Sequence, residues 1–179
     1  TSNVYRRGSD STVLRASKEQ VDVVVENLRS DGYNTSNRFK AADIALLSLS
    51  SGARISSCLK MRAKDIDFDN KVITMEKAKG GLTYYVDMSD EDVHLLKALV
   101  KNLKPNQRIF EFIKKNGKIM SVDEARRVVD RYVKIAARGF NKESNRKIIN
   151  SNGQEAVVKH RSEFAFHSIR KAFALKIMQ

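Results

Sequence analysis

The sequence predicts a mixed, mainly α domain with a small antiparallel β-hairpin. Three observations carry that expectation. Ser17 with Gln20, Ser89 with Asp92 and Ser121 with Glu124 each put a capping hydroxyl three residues ahead of a reciprocal partner, and each opens a run with apolar residues at helical spacing. Two short runs rich in β-branched and aromatic residues flank Lys77-Ala78-Lys79-Gly80-Gly81, the pattern of strands joined by a glycine turn. With 179 residues, 41 % of them hydrophobic, the chain is long enough to bury one core of its own.

In chain order, residues 1–16 read as a leader or linker, and the start at Thr1 rather than methionine suggests a piece of a longer protein. The domain proper is expected over 17–179. The first helix begins at Ser17, buries Val21, Val24, Val25 and Leu28, and ends near Asp31-Gly32. Over 37–50, Ala41, Ile44, Ala45 and Leu49 keep helical spacing, and Ala42, Leu46 and Leu47 widen the apolar face to that of a buried helix. Gly52 breaks it, and a short helix follows over 55–61. Arg54 is thus placed at a tight joint between two core helices rather than on an open surface. Strands are expected over 71–76 and 82–87. A helix over 89–103 follows, with Pro105 preventing its continuation. The helix opened by Ser121 carries Ala125, Val128, Val129, Tyr132, Val133 and Ala136 on one face and closes at Gly139. Residues 141–159 turn polar and read as a mobile loop or small insertion. A last helix is expected over 166–178, with Ile169, Phe173 and Ile177 at four-residue steps and Ala172 and Leu175 beside them. No internal repeat or low-complexity tract is present.

Charge points to the partner. Thirty-four Lys and Arg against 21 acidic residues give a net charge of +13, a field suited to a polyanion. No apolar run has the length of a membrane span, and the N-terminal residues lack the apolar segment of a secretory signal, so a cytoplasmic location is expected. One cysteine, Cys58, cannot form an internal disulfide, and between apolar neighbours it reads as a small buried hydrophobe. With His94, His160 and His167 the only histidines, no spacing resembles a metal site.

Candidate chemistry gathers at Arg54, at Lys79 on the hairpin tip, and at His167 with Arg170 in the run HSIRKAFALKI. The three-residue spacing puts His167 and Arg170 on one helical face. Two guanidinium forks suit the non-bridging oxygens of a phosphate, and an imidazole moves protons near neutral pH. Each residue also has a plain structural role open to it: a helix-joint arginine caps carbonyls, a lysine beside Gly-Gly is a solvated turn, and a histidine at a helix start is a cap.

Order along the chain favours the chemical reading. SSGARISSCLKMRAKDIDF, KVITMEKAKGGLTYYVDMS and HSIRKAFAL follow one another as three boxes, and the chain from about Ser17 to its end resembles the catalytic domain of the tyrosine recombinases, the phage-integrase family. The resemblance implies the tyrosine-recombinase catalytic-domain fold, with Arg54 and Arg170 clamping a phosphate, Lys79 as the hairpin lysine and His167 as the active-site histidine. It implies double-stranded DNA as partner, a tetramer on DNA for the intact protein, and transesterification through a 3′-phosphotyrosyl bond with no cofactor and no metal. Lys77, Arg62, Lys64 and Lys171 are the expected DNA contacts, within a wider basic set that includes Arg6, Arg7, Arg15, Arg38, Lys40, Lys60, Arg146, Lys147, Lys159 and Arg161.

Two departures from the family pattern stand out. Ser56-Ser57 occupies the place of a glutamate or aspartate that often helps to hold the first arginine, so support for Arg54 is expected from elsewhere. Tyr5, Tyr33, Tyr84, Tyr85 and Tyr132 all precede His167, whereas the family's nucleophile follows the second box, so the chain reads as a piece that stops short of it and is inactive alone. Two other readings stay open: a recombinase-fold DNA-binding regulator without turnover, and a helical RNA-binding or assembly protein. Aromatics at 7 %, with no stacking motif, argue against the last.

Overall fold

A computed structural model describes residues 9–30, 35–77 and 81–177. Its helices begin where the hydroxyl caps predict. Ser17 accepts from the Gln20 N–H and the Gln20 side chain answers the Ser17 N–H, opening α1 (Lys18–Arg29). The same reciprocal pair opens α4 (Asp90–Val100) at Ser89 and α5 (Val122–Ala136) at Ser121. Each box satisfies two backbone donors that the helix itself cannot. Helix α1 ends at Arg29, and the Asp31-Gly32 stop expected for it lies outside the described residues.

The core is organised around α2 (Thr35–Ser51), where Ala41, Ala42, Ile44, Ala45, Leu47 and Leu49 are all buried. Helices α1, α5 and α6 (Phe166–Ile177) pack against it. The contributing faces are Val21, Val24, Val25 and Leu28 of α1, Ala125, Val128, Val129 and Val133 of α5, and Ile169 and Ala172 of α6. The side chains of Leu175 and Ile177, and residue 178, lie outside the described set. Asp43 on α2 is a buried charged residue of this interior. Arg29 pairs with it at 2.5 Å, and burial outweighs that cation and lifts the carboxyl above its ordinary value. Short helix α3 (Ile55–Lys60) buries Cys58, whose thiol burial pushes up to about 12, as expected of a residue packed as a hydrophobe.

Two three-stranded sheets flank the helices. One is antiparallel, β2 (Ile66–Asp67), β3 (Val72–Glu76) and β4 (Thr83–Asp87), with Met75 opposite Tyr84 and Ile73 opposite Val86. This is the expected hairpin, widened by the Asp-Ile-Asp segment. The other sheet departs from expectation. Residues 141–159, read as a mobile loop or insertion, are mostly strand: β5 (Lys142–Ile149) pairs antiparallel with β6 (Glu155–Glu163). Strand β5 is exposed along almost its whole length, so it carries no apolar alternation to announce it. Strand β1 (Ser9–Val13), from the stretch read as a leader, runs parallel to β6 with Ser9 opposite Lys159, and so gives the domain a parallel pair. Helices α4 and α5 end earlier than predicted. Leu103 falls in the turn after α4, and α5 caps at Ala137, with Gly139 inside a 3₁₀ turn over Arg138–Phe140. Among the described residues no helix is long and apolar enough to cross a membrane.

Candidate phosphate cleft

The joint between α2 and α3 is built for a sharp reversal. Gly52 adopts φ +73°, a conformation that side chains disfavour, and Arg54 follows two residues later as the N-cap of α3, with no capping bond from its side chain. Hydrogen bonds fix the joint's main chain. Gly52 N–H donates to the Ser48 carbonyl at 2.7 Å, and the Ala53 carbonyl accepts from Ser48 Oγ at 2.8 Å. The Arg54 carbonyl accepts from the Cys58 N–H at 3.1 Å. The Arg54 side chain is exposed, so the sequence expectation of a non-surface arginine is corrected: its backbone belongs to the core joint while the guanidinium opens onto solvent.

It opens onto a cleft of about 620 Å³ lined by Gly52, Arg54, Ser57, Lys77, Leu82, Tyr84 and Arg170. Arg170 comes from α6, and its Nε donates to the Gly52 carbonyl at 3.0 Å. That bond spends one donor and leaves the terminal nitrogens of the fork free of any protein acceptor among the described residues. No carboxylate there pairs with Arg54 or Arg170. Partial burial, and then the Arg54 charge, hold the Arg170 guanidinium below its ordinary value, with Tyr84 acting in the opposite sense. Arg54, Lys77 and Arg170 line one cavity with no carboxylate among its lining residues, an arrangement electrostatically suited to an anion.

His167 begins α6 one turn before Arg170 and is exposed. Loss of hydration around the ring, then the charges of Arg170, Lys171 and Arg54, hold its imidazole below the usual value. The neutral form is therefore favoured at pH 7, and a protonation penalty grows as pH falls from 6.5 toward the lowered pKa. Removing a neighbouring cation relaxes this. In an NMR titration the His167 midpoint is expected below 6.5 and should rise in Arg170→Ala; an unmoved midpoint would mean that the two groups do not share a site.

The other expected residues divide. Lys77 reaches the cleft, its backbone N–H closing the hairpin onto the Leu82 carbonyl at 2.7 Å. Lys79 lies outside the described residues. Arg62 and Lys64 follow the far end of α3, a helix length of about 9 Å from Arg54. Arg62 donates there to the Asn106 carbonyl at 2.5 Å. Lys171 points away from the cleft, its Nζ donating to the Val13 carbonyl at 3.0 Å. Sequence reasoning passed over Tyr84 and Ser57 as cleft residues. The hairpin register was the usable signal for Tyr84, which lies two residues from buried Val86 and so on the same strand face. Ser57 donates to the Glu76 carbonyl at 2.9 Å, so it ties α3 to the hairpin and leaves Arg54 without a carboxylate of its own. Among the described residues no three His, Cys, Asp or Glu cluster as metal ligands.

Comparison with known proteins agrees with this architecture. The phage integrase family model matches residues 15–179. The tyrosine recombinase XerA of Saccharolobus solfataricus is 30 % identical over 98 residues, which span 50 % of this chain and 34 % of that protein. Among solved structures, XerA recombinase superposes with a TM-score of 0.57 at 16 % identity, covering 92 % of this chain and 49 % of its own. The Tn1549 transposon integrase in complex with a circular intermediate DNA gives 0.59 at 16 % identity, covering 93 % and 53 %. A lambda integrase tetramer bound to a Holliday junction gives 0.54 at 14 % identity, covering 98 % and 43 %. The chain thus spans about half the length of these structures and a third of the curated relative.

Proposed function

The chain belongs to the phage integrase family, and from that premise we propose that it is the catalytic core of a site-specific DNA recombinase that breaks and rejoins strands through a 3′-phosphotyrosyl bond. The observation that carries this reading is the pair Arg54 and Arg170, two cations from distant parts of the chain facing one cleft with no carboxylate between them. A scissile phosphodiester supplies the anion. The proposed roles then divide among four residues. Arg54 and the free end of the Arg170 fork offset charge building on the two non-bridging oxygens, which is usually the largest catalytic term. Neutral His167 exchanges a proton at the reacting centre. As a tyrosine oxygen bonds to phosphorus and the bond to the 5′-oxygen breaks, Lys79 gives that leaving oxygen its proton; the returning 5′-hydroxyl reverses each step.

None of the five tyrosines here follows the second box, and the proposed nucleophile is a tyrosine outside these 179 residues, on a longer protein that includes them. Four such protomers on two duplexes are the proposed working assembly. Lys77, at the cleft, and Arg62 and Lys64, beyond it, are the proposed phosphate contacts on either side of the cut.

The test uses the longer protein with a nicked suicide duplex carrying its own element's end, run on a denaturing gel. A covalent protein–DNA band that disappears in Arg54→Ala supports strand transfer. Tight binding without the band would instead make the fold a DNA-binding regulator. Duplex affinity of the 179-residue chain itself should fall by about three to five decades between low and moderate salt if half a dozen phosphates are neutralised. A flat salt series would remove DNA from the proposal.

A further inference from the structure

An aromatic ring from α6 lies against Gly52, two residues before Arg54. Ring carbons Cδ2 and Cε2 of Phe173 lie 2.5 and 2.6 Å from where a Cβ on Gly52 would stand. Phe173 sits three residues after Arg170 on α6, so the ring and the guanidinium share a helical face and approach the same glycine. Arg170 grips its carbonyl at 3.0 Å, and Phe173 covers its α-carbon. Arg54 follows Gly52 by two residues in a main chain fixed by hydrogen bonds. Ser57 Oγ donates to the Glu76 carbonyl of the hairpin at 2.9 Å.

We propose that Phe173 is a positioning residue of the cleft: its ring, seated on Gly52, fixes the placement of Arg170 relative to the joint that bears Arg54. A ring resting on bare Cα brings α6 as close to the joint as packing allows, and that approach is what puts the Arg170 Nε within bonding distance of the Gly52 carbonyl. Any side chain at position 52 would both strain the left-handed backbone and drive the ring away. The geometric part of the proposal stands without the functional reading; its effect on cleavage rests on that reading.

The test compares Phe173→Ala, Phe173→Leu and Gly52→Ala with Leu28→Ala, a core deletion in α1 remote from the cleft, all in this chain. The first readout is hydrogen exchange at the Arg170 Nε–H, followed by ¹⁵N NMR. Phe173→Ala and Gly52→Ala are expected to speed that exchange about tenfold, roughly the net worth of one hydrogen bond, and to raise the His167 titration midpoint. Phe173→Leu keeps an apolar cover and the fold and should give a smaller acceleration. Leu28→Ala should lower the melting temperature with no change at Arg170. In the longer protein, Phe173→Ala should slow cleavage at saturating DNA while leaving duplex affinity unchanged. Slow Arg170 exchange in Phe173→Ala, or equal acceleration in Leu28→Ala, would overturn the proposal. Loss of the NMR protection with no cleavage even in the unsubstituted protein would leave the positioning intact and sink the recombinase reading instead.

Discussion

Replacing Arg170 with alanine in the longer protein is expected to remove covalent strand cleavage while most duplex binding survives. Two separate losses combine. On the proposed function the guanidinium would no longer face a phosphate, which costs about two to three decades in rate for a single preorganised donor. The Gly52 carbonyl also loses the Nε bond that ties α6 to the α2–α3 joint, so the position of Arg54 is disturbed as well. The combined effect should therefore exceed that of one donor. Affinity is spread over many phosphate contacts, and losing one of them changes it by at most about a decade. Arg170→Lys keeps the charge but not the fork or the Nε bond, and should recover binding without recovering cleavage. Single-turnover cleavage and filter binding at one salt concentration separate the two quantities. Parallel losses in both would show that Arg170 serves affinity and not the reaction.

The largest effect on stability is expected from Phe164→Ala. This ring is almost fully buried at the corner between β6 and α6 and meets Phe140 at a centroid distance of 5.7 Å, tilted by 37°. The Phe164 N–H also donates to Asn141 Oδ1 at 2.9 Å, so the corner is fixed by both packing and hydrogen bonding. Truncating such a ring costs about 3–5 kcal/mol, because a cavity is left as well as the transfer energy lost. In a domain of this size that lowers the melting temperature by about 10 °C. Calorimetry checks the figure, and a loss below about 1 kcal/mol would mean that the corner relaxes freely. Since His167 lies about one turn and Arg170 about two turns beyond Phe164, the same substitution should broaden their resonances before the rest of the domain melts.

What could be read from the sequence was what neighbouring residues decide among themselves. Ser17, Ser89 and Ser121 announce helix starts because each cap and its partner lie three residues apart. The Arg54 joint was legible for the same reason: an apolar helix stopped by one glycine leaves few conformations. Pairings between remote segments were not legible. Ser9–Val13 is a short, mostly polar run whose partner is β6, and nothing local marks it as a strand. Strand β5 is nearly all exposed and hides its period for want of buried residues. Side-chain direction was equally out of reach. Lys171 stands beside Arg170 in the sequence, yet it turns to the Val13 carbonyl at the end of β1, a partner 158 positions away that only the tertiary fold supplies.

That same Lys171–Val13 bond joins residues 158 positions apart, and the β1–β6 ladder closes a loop nearly as long. Such contacts are repaid only after a large loop-closure entropy has been met, so they form late on the folding path. Helices α1, α2 and α5 can collapse earlier around their mutual apolar faces, and the segment bearing His167 and Arg170 is then the last to be seated. During synthesis this means that β1 waits, unpaired, while nearly the whole domain emerges before its partner strand exists. Among the described elements, the cleft therefore matures late in folding, once β1 has paired with β6 and α6 is seated on the α2–α3 joint.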